Sequence, residues 1–145
     1  MKIAIGCDPN ASDYKIEIIK TVESLGHEVI DYGSDDAIYA HVAQKVGEDV
    51  AAGVCDRGIV LCGTGIGVSI AANKVKGAYC ALINNVYQAQ RAQLSNNANM
   101  IALGAQVTGI ELGKELVKTY LGLNFDPNSR SYPKVQAIIN YEASR

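Results

Sequence analysis

The sequence predicts an α/β fold: a single-domain, three-layer αβα sandwich over residues 1–145, built on a parallel sheet of about five strands with Rossmann-like topology. Three observations predict it. Short apolar runs alternate along the chain with stretches of helical spacing. The runs are continuously apolar, as strands buried on both faces are. Glycine or polar residues close each run, as strand-to-helix connections require.

The elements follow in order. "KIAIGCD" is a short apolar run closed by glycine, and reads as a buried strand. Ser12 and Asp13 are placed to cap a helix carrying Tyr14, Ile18, Val22 and Leu25 on one face, with Gly26 as its stop. "HEVIDYG" is the second strand. Ile38, Val42, Val46 and Val50 recur every fourth residue, so a second helix ends before Gly53. "RGIVLCG" is the third strand, and "TGIGVSIAANKV" opens the third helix. "AYCALIN" is the fourth strand, Val86 to Leu94 a short helix, and "MIALG" the fifth strand. "GIELGKELVKTYLG" and "KVQAIINYEAS" are two further helices, separated by the turn-rich "NFDPNSRSYP". No repeat, linker or low-complexity segment divides the chain.

Bulk properties exclude several function classes. Hydrophobic residues make up 48 % of the 145, enough for a substantial core. The formal net charge is −2, and Arg57, Arg91, Arg130 and Arg145 do not cluster, so no nucleic-acid or anionic-membrane partner is expected. No apolar run approaches the roughly 18 residues of a membrane span. The opening "MKIAIGCD" reads as a strand rather than a signal peptide. Cys7, Cys55, Cys62 and Cys80 form no C-x-x-C pair and no zinc spacing, so reduced thiols, a cytoplasmic location and no metal are expected.

In a parallel sheet, ligands bind beyond the carboxyl ends of the strands. Those ends are here Cys7–Asp8, Tyr32–Ser34, Cys62–Thr64, Asn84–Asn85 and Gly104–Gln106. The segment "LCGTGIGVSIAANK", Leu61 to Lys74, stands out. It is not a dinucleotide fingerprint. Its G-x-G-x-G follows the third strand, not the first, and no acid follows within the required distance. It also lacks the G-K-[ST] of a phosphate-binding nucleotide loop.

Two readings remain. Gly63, Gly65 and Gly67 can make a tight connection whose cysteine is merely packed. Alternatively, they expose backbone N–H groups at a helix start, which suits a phosphate or a developing oxyanion. A thiolate is favoured in such a setting and can serve as base or nucleophile. His27, just before a strand, reads as a surface residue. His41, near Tyr39 at the start of a helix, is a further candidate for the site. Lys74 and Lys76, near the glycine loop, are candidate phosphate cations against a solvated helix end.

The stretches "MKIAIGCD", "GHEVIDYG", "CDRGIVLCGTGIGVSIAANKV" and "NANMIALGAQVTG" together resemble one family across almost the whole chain: ribose-5-phosphate isomerase B and galactose-6-phosphate isomerase. The resemblance implies aldose–ketose isomerisation of a sugar phosphate without metal or other cofactor. It implies Cys62 as the base of a cis-enediolate mechanism, with Thr64 beside it and Asp8 near the sugar hydroxyls. It implies an oxyanion cradle from the amides of Gly63, Thr64, Gly65, Ile66 and Gly67. Tyr39, Ser95, Asn96, Asn99, Arg130 and Lys134 fall at or beside substrate-contacting positions. A homodimer or homotetramer is implied, with Ser95 to Asn99, or Arg130 and Lys134, reaching a neighbour's pocket.

The chain departs from the family pattern in informative places. Pro9 and Ser95 stand where the family carries histidines, the second credited with ring opening, and Gln106 stands for an arginine. A pentose or hexose phosphate then needs another ring-opening group, such as Asp8, His41 or water. A tetrose phosphate needs none, and "LSNNA" and "FDPNSRS" resemble the branch that isomerises erythrulose 4-phosphate. A galactose-6-phosphate isomerase subunit needing a partner chain, or a non-catalytic sugar-phosphate-binding protein, are the alternatives.

Overall fold

The computed structural model describes all 145 residues. Five strands form one parallel sheet: β1 (Lys2–Cys7), β2 (Glu28–Asp31), β3 (Arg57–Cys62), β4 (Cys80–Leu82) and β5 (Met100–Gly104), in spatial order β2-β1-β3-β5-β4. Six helices complete the chain: α1 (Ser12–Ser24), α2 (Tyr39–Ala51), α3 (Ile66–Asn73), α4 (Val86–Leu94), α5 (Ile110–Leu121) and α6 (Tyr132–Ala143). Central β3 pairs with β1 through Ile3↔Arg57 to Cys7↔Leu61, and with β5 through Gly58↔Met100 to Cys62↔Gly104.

The sheet separates two apolar layers. On one face Ile3, Ile5, Ile59, Leu61, Ile101 and Leu103 pack against α1, α4 and α5. On the other, Ala4, Val60, Met100 and Ala102 pack against Val42, Val46 and Val50 of α2 and Val68 and Ala72 of α3. Every residue of β3 and β5 is buried, which explains their unbroken apolar runs. A side chain on Gly58 would strike Val46 Cγ1 at 2.7 Å, so the missing Cβ lets α2 lie close on the sheet.

The start of α1 corrects a sequence expectation. Ser12 and Asp13 do not cap the helix. A single 3-10 turn, Pro9–Ala11, precedes it, and Asp8 caps that turn. Ser12 instead donates its hydroxyl to Ser34 at 3.1 Å. Proline at the first position favours this early turn, because its fixed φ is pre-set for it.

At the amino edge of the sheet, buried Arg57 donates to the carbonyl of Tyr120 in the last turn of α5 at 2.9 Å and to that of Leu123, just past the helix, at 2.7 Å. Its guanidinium lies over the Tyr120 ring, 5.0 Å from the centroid. A cation on a helix C-terminus satisfies orphan carbonyls and opposes the helix dipole. Helix α6 buries only Val135 and is held by Glu142, which accepts from the Tyr79 hydroxyl at 2.6 Å and from Gly77 N at 3.2 Å. No helix is long and apolar enough to cross a membrane. No group of three His, Cys, Asp or Glu residues could hold a metal ion.

Candidate active site

Cys62 is the last residue of β3 and is buried. Its Sγ accepts from Gly65 N at 3.1 Å, so the chain turns back over the sulfur. Gly65 has φ +78, in the left-handed region that favours glycine. A Cβ there would also meet Leu82 Cδ1 at 2.7 Å and Leu103 C at 2.8 Å. The turn lies so close on β5 that a Cβ on Gly104 would strike the Thr64 backbone. Two backbone bonds fix this stack: Ala105 N to Cys62 O and Gln106 N to Gly63 O, both 2.9 Å.

Helix α3 starts directly from this turn, at Ile66. Thr64 Oγ1 accepts from Ile66 N at 3.3 Å. The N–H groups of Gly63, Thr64 and Gly67 find no acceptor within the chain. These are the orphan donors of a helix start, next to a sulfur, in the arrangement that stabilises an anion. Tyr39, the first residue of α2, closes one side, its ring lying where a Cβ on Gly67 would sit.

Asp8 follows β1 at the same edge and is buried. Both carboxylate oxygens accept from one residue: Oδ1 from Asn10 N and Oδ2 from Asn10 Nδ2, each at 3.1 Å. Asp8 makes no ion pair. Neighbouring Lys15 is tied to Asp31 at 2.6 Å. Desolvation is the largest single influence on the Asp31 carboxyl and pushes it up, but the Lys15 and Gly33 donors together outweigh it and hold the carboxyl below the usual range.

His41 is exposed, and its Nδ1 lies 2.8 Å from Asp36 Oδ2. The Ile38 N–H and this histidine hold the Asp36 carboxyl below the usual range. The structure gives the His41 side chain no hydrogen bond or ion pair to Cys62, Thr64 or Asp8. The other thiols have separate roles. Burial pushes Cys7 and Cys80 up to about 12, which keeps both protonated at neutral pH.

The remaining expected ligands lie at the opposite, amino edge of the sheet. Ser95, Asn96 and Asn99 lie between α4 and β5, Arg130 precedes α6 and Lys134 is in its first turn. Six strand residues separate the two edges, roughly 15–20 Å. Within one chain these residues therefore do not meet Cys62. Asn96, Arg130 and Lys134 are exposed, and neither cation forms an ion pair. Ser95 Oγ accepts from Arg91 Nε at 2.6 Å.

Two expectations are corrected. Asn99 is a brace: its carboxamide accepts from Tyr79 N and donates to Gly77 O, both at 2.8 Å, which occupies it with the 77–79 turn. Lys74 and Lys76 lie beyond the far end of α3, away from the glycine turn, and Lys76 donates to Arg145 O at 3.0 Å.

One residue at the site was missed by sequence reasoning, and a second was noted only as standing where the family has an arginine. Asn10 could have been found as the second residue of an Asp-x-Asn turn. Gln106 is the last residue of a strand-end tripeptide, and its carboxamide packs 3.4 Å from the position of a Gly63 Cβ.

Comparison with known proteins fits this geometry. The Ribose/Galactose Isomerase family matches residues 3–138. The chain belongs to that family. It is 44 % identical to "D-erythrulose-4-phosphate isomerase 2" of Mycolicibacterium smegmatis, over 99 % of both chains. It is 40 % identical to "Ribose-5-phosphate isomerase B" of Escherichia coli, over 99 % of this chain and 98 % of that one. The solved structure of Clostridium thermocellum ribose-5-phosphate isomerase B superimposes with a TM-score of 0.93 at 41 % identity, covering 99 % of each chain. This family member is a sugar-phosphate isomerase of the aldose–ketose type.

Proposed function

We propose that this isomerase acts on a four-carbon sugar phosphate of the erythrulose 4-phosphate type, with Cys62 as the proton-transferring base and no cofactor. One observation carries the choice of substrate: neither histidine of the chain hydrogen-bonds Cys62, Thr64, Asp8 or Tyr39. Pro9 and Ser95 occupy the two candidate positions, His27 lies 3.0 Å from the N-terminal amine, and His41 is paired with Asp36. A tetrose with a phosphorylated terminal hydroxyl cannot close a five-membered ring, so it needs no ring-opening acid.

In this reading the Cys62 thiolate takes a proton from the carbon next to the carbonyl and returns it to the neighbouring carbon. A second proton moves between the two oxygens, so the reaction is an isomerisation with no net gain or loss. The enediolate formed between the steps carries negative charge beside the free N–H groups of Gly63, Thr64 and Gly67. Fixed donors stabilise such a charge strongly because they need no reorganisation. Thr64 flanks the base and Asp8 accepts from a sugar hydroxyl.

The working form is a homodimer or homotetramer in the cytoplasm, with the site completed between copies. Exposed Ile66 and Ile70, one helical turn apart on α3, together with exposed Val107 and Tyr87, support an assembly, since exposed apolar surface marks contact sites. The unpaired Arg130 and Lys134 of a second copy supply the phosphate charge that this chain's own carboxyl edge lacks.

A second reading has one observation behind it. The His41–Asp36 pair at the start of α2 is an oriented imidazole two residues from Tyr39. In that case a ribose 5-phosphate ring opens with its help. Turnover of erythrulose 4-phosphate, ribose 5-phosphate and galactose 6-phosphate, with Cys62→Ala alongside, tests both. Fast, Cys62-dependent turnover of the tetrose alone is the expected result. Fast turnover of a pentose, lost in His41→Ala, overturns the tetrose assignment.

A further inference from the structure

The backbone of Gln106 is tied to the glycine turn, and its side chain uses none of its polar atoms within the chain. Its N–H donates to Gly63 O at 2.9 Å, and the turn behind it is closed by Val107 N and Thr108 N, which donate to Gly104 O at 3.0 and 2.9 Å. Its carboxamide Cδ and Oε1 lie 3.4 Å, and Nε2 3.7 Å, from the Cβ position of Gly63, the residue after Cys62. It is exposed and makes no hydrogen bond. A free carboxamide therefore packs beside the glycine turn at its Gly63 end, while Tyr39 packs at its Gly67 end.

Its neutrality is informative. Lys15 is locked to Asp31, and Arg130, Lys134, Lys74 and Lys76 lie toward the amino edge. A carboxamide donates and accepts at once, as a hydroxyl does, whereas a phosphoryl group takes donors only. In a four-carbon ketose phosphate, carbons 1 and 2 react and carbon 4 carries the phosphate. Carbon 3 bears the remaining hydroxyl.

We infer that Gln106 is a specificity-determining residue whose carboxamide holds the carbon-3 hydroxyl of the substrate beside the Cys62 turn. This rests on the tetrose phosphate reading above. A site that pairs with a hydroxyl discriminates against the analogue lacking it, because its own polar group is then left unpaired.

The test compares wild type, Gln106→Ala and Gln106→Glu on erythrulose 4-phosphate and its 3-deoxy analogue. Wild type is expected to prefer the natural substrate by more than about tenfold in kcat/KM. Gln106→Ala should remove that preference by raising KM on the natural substrate, with kcat within about twofold. Gln106→Glu keeps an acceptor but loses the donor, and should fall between the two. An unchanged preference in Gln106→Ala overturns the inference.

Calorimetric titration with 4-phosphoerythronate separates this from the function itself. Suppose no sugar turns over, but wild type binds this mimic and Gln106→Ala binds it about tenfold more weakly. The isomerase substrate is then wrong and the Gln106 role stands. Equal binding by both proteins, or none by wild type, overturns the Gln106 role whatever the turnover.

Discussion

Tyr39 and Gly67 share one space: Tyr39 Cζ lies 2.5 Å and Cδ2 2.9 Å from where a Gly67 Cβ would sit. The ring at the start of α2 thus rests on bare backbone in the first turn of α3. This contact joins the wall of the site to the helix that supplies its anion-binding amides. Gly67→Ala should displace the ring, because the methyl and Tyr39 cannot both be accommodated. Overpacking of this kind destabilises by about 1–3 kcal/mol. Misplacing a site wall lowers turnover by roughly tenfold to a hundredfold. A melting curve and kcat/KM on the same variant check both, and Gly67→Ala with wild-type kinetics would show that Tyr39 does not shape the site.

Cys62 is the residue on which the proposed chemistry turns. Removing a positioned base lowers turnover by about 10²–10⁴-fold. Cys62→Ala should lose that much in kcat while keeping its melting temperature within a few degrees, since the sulfur's one hydrogen bond, from Gly65 N, is local. Retained binding of 4-phosphoerythronate would show that the cradle survives. A variant with near-normal kcat removes Cys62 from the mechanism.

The fold was legible almost throughout, and the reason is physical. Beyond Arg57 at its amino end, buried β3 carries no charged residue, and β5 carries none at all, so their runs announce themselves; Gly26 and Gly53, with φ +88 and +78, mark the ends of α1 and α2 as glycines past a helix do. The start of α1 was misread because Ser12 competes for two partners, a helix amide and the Ser34 hydroxyl, and only tertiary structure decides between them. Half of the site was equally plain: Cys62, Thr64 and the glycines lie in one unbroken segment. Asn10 and Gln106 were not plain, because a carboxamide has no signature until its neighbours are known. Asn99 looked like a ligand for the same reason, and turned out to hold a backbone turn.

Tyr14 carries the one buried side-chain polar atom with no hydrogen-bond partner, its hydroxyl pressed against Gly113 of α5. An unpaired buried hydroxyl is destabilising by about 1–3 kcal/mol, whereas a phenyl ring of the same shape has nothing to satisfy. Tyr14→Phe should therefore stabilise the protein by about 1 kcal/mol, a rise of about 2–4 °C in melting temperature for a chain of this length. A fall instead would mean that the hydroxyl has a partner, such as a buried water.

The same core predicts an alkaline limit. Burial raises Cys7 from about 9 to about 12 against a smaller opposing pull from Lys15, and burial raises Tyr14 from about 10 to about 12. Both groups bind their protons more tightly when folded than when unfolded. Their contribution is complete below about pH 9, and is lost as pH climbs toward about 12. Melting temperature should decline across that window, and more gently in a Cys7→Ala/Tyr14→Phe double variant. Identical slopes in the two proteins would assign the decline to other groups.

The separation of Cys62 from Arg130 and Lys134 by the height of the sheet makes the shared-site assembly testable without a structure of the complex. Cys62→Ala lacks the base, and an Arg130→Ala/Lys134→Ala protein lacks the cations. Each should be nearly inactive alone. If the site of one copy uses the cations of the other, a mixed dimer carries both lesions in one site and none in its second. Random reassortment of equal amounts in a two-fold assembly makes half the dimers mixed, so activity should recover to about a quarter of wild type. If each chain instead used its own cations, every site in a mixed dimer would retain one lesion. Mixing would then recover nothing, and Arg130 and Lys134 would have to serve some purpose other than a neighbour's substrate.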